Sequence, residues 1–85
     1  MSLGDLLTTE EKIASLQSIK KSLSMAIYSL CVQLGIDSES FDYSTYVHPN
    51  GDGVTGVVNP KLVELERHSK NLITVMNKLE KLKNV

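Results

Sequence analysis

From Thr9 to Leu34 the chain runs without a glycine or a proline. Its apolar residues return at Ile13, Leu16, Leu23, Ile27, Leu30 and Leu34, and with Lys20 taken as a polar break every step is three or four residues. That spacing draws a single stripe along an α-helix, of the kind coiled coils use. In Thr8-Thr9-Glu10-Glu11 a threonine stands three residues before a glutamate, the capping-box spacing in which each side chain satisfies the other's free backbone N–H. Gly35 supplies the left-handed stop, and Ile36 can fold back on Cys31 in a Schellman ending. The first helix is therefore placed over about residues 9–34.

A second helix opens at Asn59-Pro60, since Asn is a preferred cap and Pro at the first helical position loses no hydrogen bond. Leu62, Leu65, Leu72, Met76 and Leu79 repeat the three-and-four stepping, with Ser69 as the polar break and Leu82 one turn on. This helix is placed over about residues 59–83. At 1.5 Å per residue the two rods are roughly 39 Å and 36 Å long. Matched lengths favour an antiparallel pair, in which each covers the other's whole seam. The fold expected is mainly α: one domain over residues 1–85, a two-helix hairpin with a long connector at 35–58. Setting Leu34 beside Leu62 brings Ile27 to Ser69 and Lys20 to Met76.

The stripes are wider than one seam. Ile19, Ala26, Tyr28, Cys31 and Val32 flank the first, and Val63, Ile73 and Val75 flank the second. A large side chain left half in water forfeits on the order of 1.5–3 kcal/mol relative to full burial. Leu3, Leu6, Leu7 and the connector can cover part of this surface, and a second copy is expected to cover the rest. Ile19, Tyr28, Val32, Val63, Ile73 and Val75 are thus the residues expected at an oligomer interface, in a helical bundle or ring.

The connector is long for a helical hairpin, whose links usually take about two to eight residues. Residues 46–61, YVHPNGDGVTGVVNPK, hold three of the five glycines and both prolines. A calcium loop fails at both anchors, because His48 stands where the first Asp belongs and Asn59 where the closing Glu belongs. Gly51, Gly53 and Gly56 have dinucleotide-loop spacing, but no strand–helix unit surrounds them. Two readings stay open. Tyr43–Val47 and Val54–Val58 read as the strands of a β-hairpin around Asn50-Gly51. Alternatively the connector is an irregular ordered loop, with Phe41, Tyr43 and Tyr46 either pinning it to the hairpin base or presenting a partner-binding tip.

Chemistry is sparse. One cysteine excludes an internal disulfide, and with two distant histidines it excludes a zinc-ligand cluster. Cys31 reads as a core residue, and His48 and His68 as ordinary surface or cap residues. Glu10 and Glu11 belong to the helix start. No catalytic residue, metal ligand or cofactor-binding motif is read, and the chain is not expected to be an enzyme. No apolar run approaches the ~20 residues of a membrane span, and no charged segment precedes a signal-peptide core, so a cytoplasmic protein that does not contact membrane is expected. Net charge is −1, yet residues 60–85 carry six cations against three carboxylates, while residues 1–59 carry three against seven. Lysines in the last turns complement the helix macrodipole, and Lys78, Lys81 and Lys83 are also candidate phosphate contacts.

Gly56-Val57-Val58-Asn59-Pro60-Lys61-Leu62, running into an amphipathic helix, resembles the second half of phage terminase small subunits. In that family a long helix ends near a Leu-Gly, a glycine-containing connector follows, and an Asn-Pro opens a returning helix. Leu34-Gly35 and Asn59-Pro60 stand in the same order, and the likeness spans roughly residues 10 to 83. It implies a small DNA-packaging protein that forms a ring in the bacterial host cell and helps the large terminase subunit select viral DNA. No helix-turn-helix is read in these residues, and Leu79-Glu80-Lys81-Leu82 continues the helix where the family has Leu-Gly-Leu followed by Pro. The expectation is therefore of the assembly part, with weak, salt-dependent, non-specific DNA contact through Lys78, Lys81 and Lys83. The alternative is a helical-hairpin adaptor that binds only protein.

Overall fold

The computed structural model describes residues 2–47 and 59–84. Three helices account for its regular structure: α1 (Leu3–Leu6), α2 (Thr9–Leu34) and α3 (Pro60–Lys83). The two long helices lie where residue spacing places them. α1 is additional, a single turn in which the Asp5 carboxylate accepts from the Ser2 backbone N–H at 3.2 Å and from its hydroxyl at 3.0 Å. It buries none of its residues.

Each end of α2 is set by a local motif. The Glu11 N–H donates to Thr8 Oγ1 at 3.1 Å and the Thr8 N–H donates to Glu11 Oε1 at 2.9 Å. The bond from the Thr8 backbone, and then the threonine hydroxyl, hold the Glu11 carboxyl below its ordinary value. At the other end Gly35 takes φ 73° and ψ 18°. Its N–H reaches Val32 O at 3.3 Å and the Ile36 N–H reaches Cys31 O at 2.9 Å, which completes the Schellman ending. α3 starts with the Lys61 N–H donating to Asn59 Oδ1 at 2.9 Å. It closes with Lys81 and Lys83 in its last turn.

α2 and α3 pack antiparallel. Leu16 near the start of α2 shares a groove with Lys78 and Leu82 near the end of α3, and Ile27 meets Leu72 further along. The register that sets Leu34 beside Leu62 also sets Cys31 opposite Leu65, and both are fully buried. Burial raises the Cys31 thiol pKa, so it stays protonated. Ser69 is the buried polar residue of the seam; its hydroxyl donates to Leu65 O at 2.7 Å within its own helix and leaves nothing unpaired. Ile27, Leu30, Cys31, Leu65 and Leu72 form the core cluster. The radius of gyration is 16.0 Å, against about 12 Å for a compact chain of this length, so the molecule is elongated.

Val75 corrects the sequence reading. It was expected on a flank and is only 8% exposed, while Met76, expected on the seam, is partly exposed. Val75 stands three residues after Leu72 and four before Leu79, so it shares a helix face with both, and all three are buried.

The connector departs from the hairpin expectation in its first half. Residues 43–45 form a turn, and no strand occurs among the described residues. Asp42 Oδ1 accepts from the Ser44 N–H at 3.0 Å and from the Ser44 hydroxyl at 2.6 Å. Five residues earlier Asp37 makes a similar capture, accepting from the Glu39 N–H at 3.0 Å and the Ser40 hydroxyl at 2.9 Å. Such carboxylate-held turns offer the backbone an alternative to extended pairing, and here they prevail over the β-propensity of Tyr43 to Val47. Phe41 and Tyr46 pack with ring centroids 5.1 Å apart. Both, with Tyr43 and Ile36, lie against the core cluster, so the aromatics pin the connector to the hairpin base. Burial, then the charge of Glu66, raise the Tyr46 phenol pKa. The proposed second strand, Val54–Val58, and the Asn50-Gly51 turn lie outside the described residues, as does His48.

Candidate interaction surfaces

The residues expected at an oligomer interface do not form one patch. Ile19 (44% exposed), Tyr28 (50%), Val32 (60%) and Val63 (43%) do stand in solvent. Ile73 is half-buried and Val75 is inside the hairpin. Ile19 and Tyr28 are nine residues apart, which at 100° per residue puts them about 180° apart around α2. Val63 lies on the outer side of α3, two residues from the buried Leu65.

Tyr28 has an exposed apolar neighbour on the same line of α2. Met25 is 63% exposed and, with Tyr28 and Val32, completes a run at i, i+3 and i+7. Lys21 precedes Met25 by one turn on the same line. α2 thus carries a second stripe, rotated about 100–160° from the one that packs on α3. The Tyr28 hydroxyl donates to Glu39 Oε1 at 2.9 Å, which holds a connector carboxylate beside the stripe. Phe41, Tyr43 and Tyr46 lie against the core cluster, while Met25, Tyr28 and Val32 stay at least half exposed. Met25 was legible as part of a 4-3-4 spacing, but only after the main seam had been subtracted.

The open end of the hairpin holds a different surface. Leu3, Gly4 and Leu7 stand over Leu16 of α2 and Leu82 of α3, enclosing an apolar groove of about 460 Å³. Lys12, Lys78 and Lys81 form its rim. None of these lysines makes an ion pair among the described residues. Of the three candidate phosphate contacts the fold therefore gathers two, Lys78 and Lys81, and adds Lys12. Lys83 is exposed at the end of α3 and stands outside the groove. Lys12 could be joined to the others only through the antiparallel register, because it is distant from them in sequence.

Other charged groups pair along α3. Glu64–Arg67 at 3.6 Å and Glu66–Lys70 at 3.4 Å are ion pairs along α3. At such partly exposed sites they add little stability. His68, expected as an ordinary surface or cap residue, is mostly covered, with Nε2 3.6 Å from Glu64 Oε1. Among the described residues no three His, Cys, Asp or Glu side chains are grouped to hold a metal ion, and no helix is long and apolar enough to cross a membrane. Comparison with family models, with curated proteins and with solved structures gives no match.

Proposed function

We propose that this chain is a non-enzymatic assembly protein that acts as a homo-oligomer of helical hairpins. The observation that carries the reading is the apolar surface on opposite sides of one rod, with Ile19 on one flank and Tyr28 and Val32 on the other. Side chains of this size in water gain stability when a second copy covers them. A protein with two such flanks can meet two neighbours, which is what bundles and rings require. Native mass spectrometry of the chain at micromolar concentration tests this. Dimers or larger species are expected, and a monomer throughout that range overturns it.

A second reading concerns what the assembly binds. Lys12, Lys78 and Lys81 at the open end, which make no ion pair among the described residues, support contact with phosphates. Repeated around an oligomer, they would give the salt-dependent, sequence-independent DNA affinity of a packaging component like a terminase small subunit, working with a large terminase subunit in a bacterial host's cytoplasm. Fluorescence titration with duplex DNA at low and moderate salt is the measurement. Binding that weakens steeply with salt supports the packaging role. Absence of binding even at low salt leaves the adaptor that holds only protein partners.

A further inference from the structure

We infer that the Met25–Tyr28–Val32 stripe is a self-complementary seam, on which α2 of a second copy lies antiparallel with the two-fold axis near Tyr28. The inference rests on the homo-oligomer reading and adds to it a face, a direction and a charge pairing.

The argument for the occupant is the order of charges along the stripe. Lys21 precedes Tyr28 by seven residues and Gly35 follows it by seven, with Asp37 and Glu39 just beyond. The Tyr28 hydroxyl, bonded to Glu39 Oε1 at 2.9 Å, keeps that carboxylate on the stripe side of the connector. A two-fold axis at Tyr28 lays Lys21 of each copy against the Gly35–Glu39 segment of the other, so the same attraction is made twice. Parallel pairing in register would instead set Lys21 on Lys21 and Glu39 on Glu39. The charge order therefore selects the antiparallel, isologous arrangement and disfavours its alternative. Lys21 makes no ion pair within its own chain among the described residues and is available for this role.

The apolar centre matches. Met25, Tyr28 and Val32 are all at least half exposed in the single chain, and the spacing of three and four is that of helix-on-helix packing. Tyrosine is also the residue type most enriched, with Trp and Arg, where interfaces concentrate their binding energy. The contact is short beside a standard interface of ~800 Å² per partner, so association in the micromolar range is expected.

Sedimentation velocity over a concentration series, up to about 100 μM, on the full chain and five kinds of variant tests the pairing. Val32→Arg and Met25→Arg are each expected to weaken self-association at least about tenfold, while Ile19→Arg on the opposite flank preserves this contact. Lys21→Glu alone and Glu39→Lys alone are each expected to weaken it, and the double charge reversal to recover it to within about threefold of the wild type. Tyr28→Phe removes the bond to Glu39 without changing charge and separates that effect from the ion pairing. All these residues are exposed, and far-ultraviolet circular dichroism checks that the helices persist. A double reversal no better than the single changes overturns the pairing. Association unaffected by Val32→Arg and Met25→Arg, but abolished by Ile19→Arg, also overturns it and leaves the homo-oligomer reading standing on another face. A wild-type chain that stays monomeric at the highest concentration overturns both.

Discussion

Gly35 shows how much one backbone position decides. At φ 73° it occupies the left-handed region, and a Cβ built there would meet nothing within 4 Å. Any penalty for a side chain is therefore backbone strain alone. Gly35→Ala is expected to lower stability by about 1–2 kcal/mol, and Gly35→Asn by less, since Asn tolerates this conformation. Urea unfolding reads the result as a lower midpoint with an unchanged slope. Equal midpoints for the glycine and alanine forms would show that the chain reversal is fixed elsewhere. Other single residues were harder to read from spacing. Cys31 was legible as core because it lies on the stripe side of α2 between Ile27 and Leu34. Val75 was not, because Val75 and Met76 both stand at three- or four-residue spacing between Leu72 and Leu79, and spacing alone does not choose between them. Lys12 was not legible as a neighbour of Lys78 and Lys81, since only the pairing of the helices brings it there.

Within the connector, two short segments repeat one device. Asp37 is held below its ordinary pKa first by the Ser40 hydroxyl and then by the Glu39 N–H. Asp42 is held below its own first by the Ser44 hydroxyl and then by the Ser44 N–H. A carboxyl whose folded pKa is depressed contributes stability that is present above its unfolded value, near 4, and is lost as pH falls through the folded value. The turns are thus expected to loosen on acidification below about pH 4, and not on raising pH above neutrality. Asp37→Asn with Asp42→Asn should flatten the acid limb of a plot of stability against pH, measured by thermal unfolding at fixed ionic strength. An acid limb identical to the wild type's would remove these turns as its cause. The long helices were legible because capping residues, glycine stop and apolar period all agree at Thr8, Gly35 and Asn59. At Tyr43 to Val47 the hairpin and the pinned loop could not be told apart from the residues, because β-branched and aromatic side chains serve strands and anchored turns alike. The deciding signal was Asp42 placed two residues before Ser44. α1 was passed over although Ser2 stands three residues before Asp5 and Leu3, Leu6 and Leu7 stand at i, i+3 and i+4, because a single turn is too short for that spacing to repeat.

Taken whole, the hairpin is unevenly held. Near its closed end the core cluster is backed by Ile36, Phe41, Tyr43 and Tyr46. At the open end α1 adds no buried residue. Amide protons of Ile27–Leu34 and Leu65–Leu72 are therefore expected to exchange at least about tenfold more slowly than those of Ile13–Leu16 and Leu79–Leu82. Hydrogen exchange read by NMR gives this gradient directly. Uniform protection along both helices would mean that the molecule opens as one unit. α1 and the last turn of α3 also share a pole, since Leu3 and Gly4 line the same groove as Lys81 and Leu82. Labels on α1 and on the last turn of α3 therefore report on the same pole. Dyes placed at Ser2 and Asn84 should transfer energy efficiently in the native hairpin and lose that transfer when it opens.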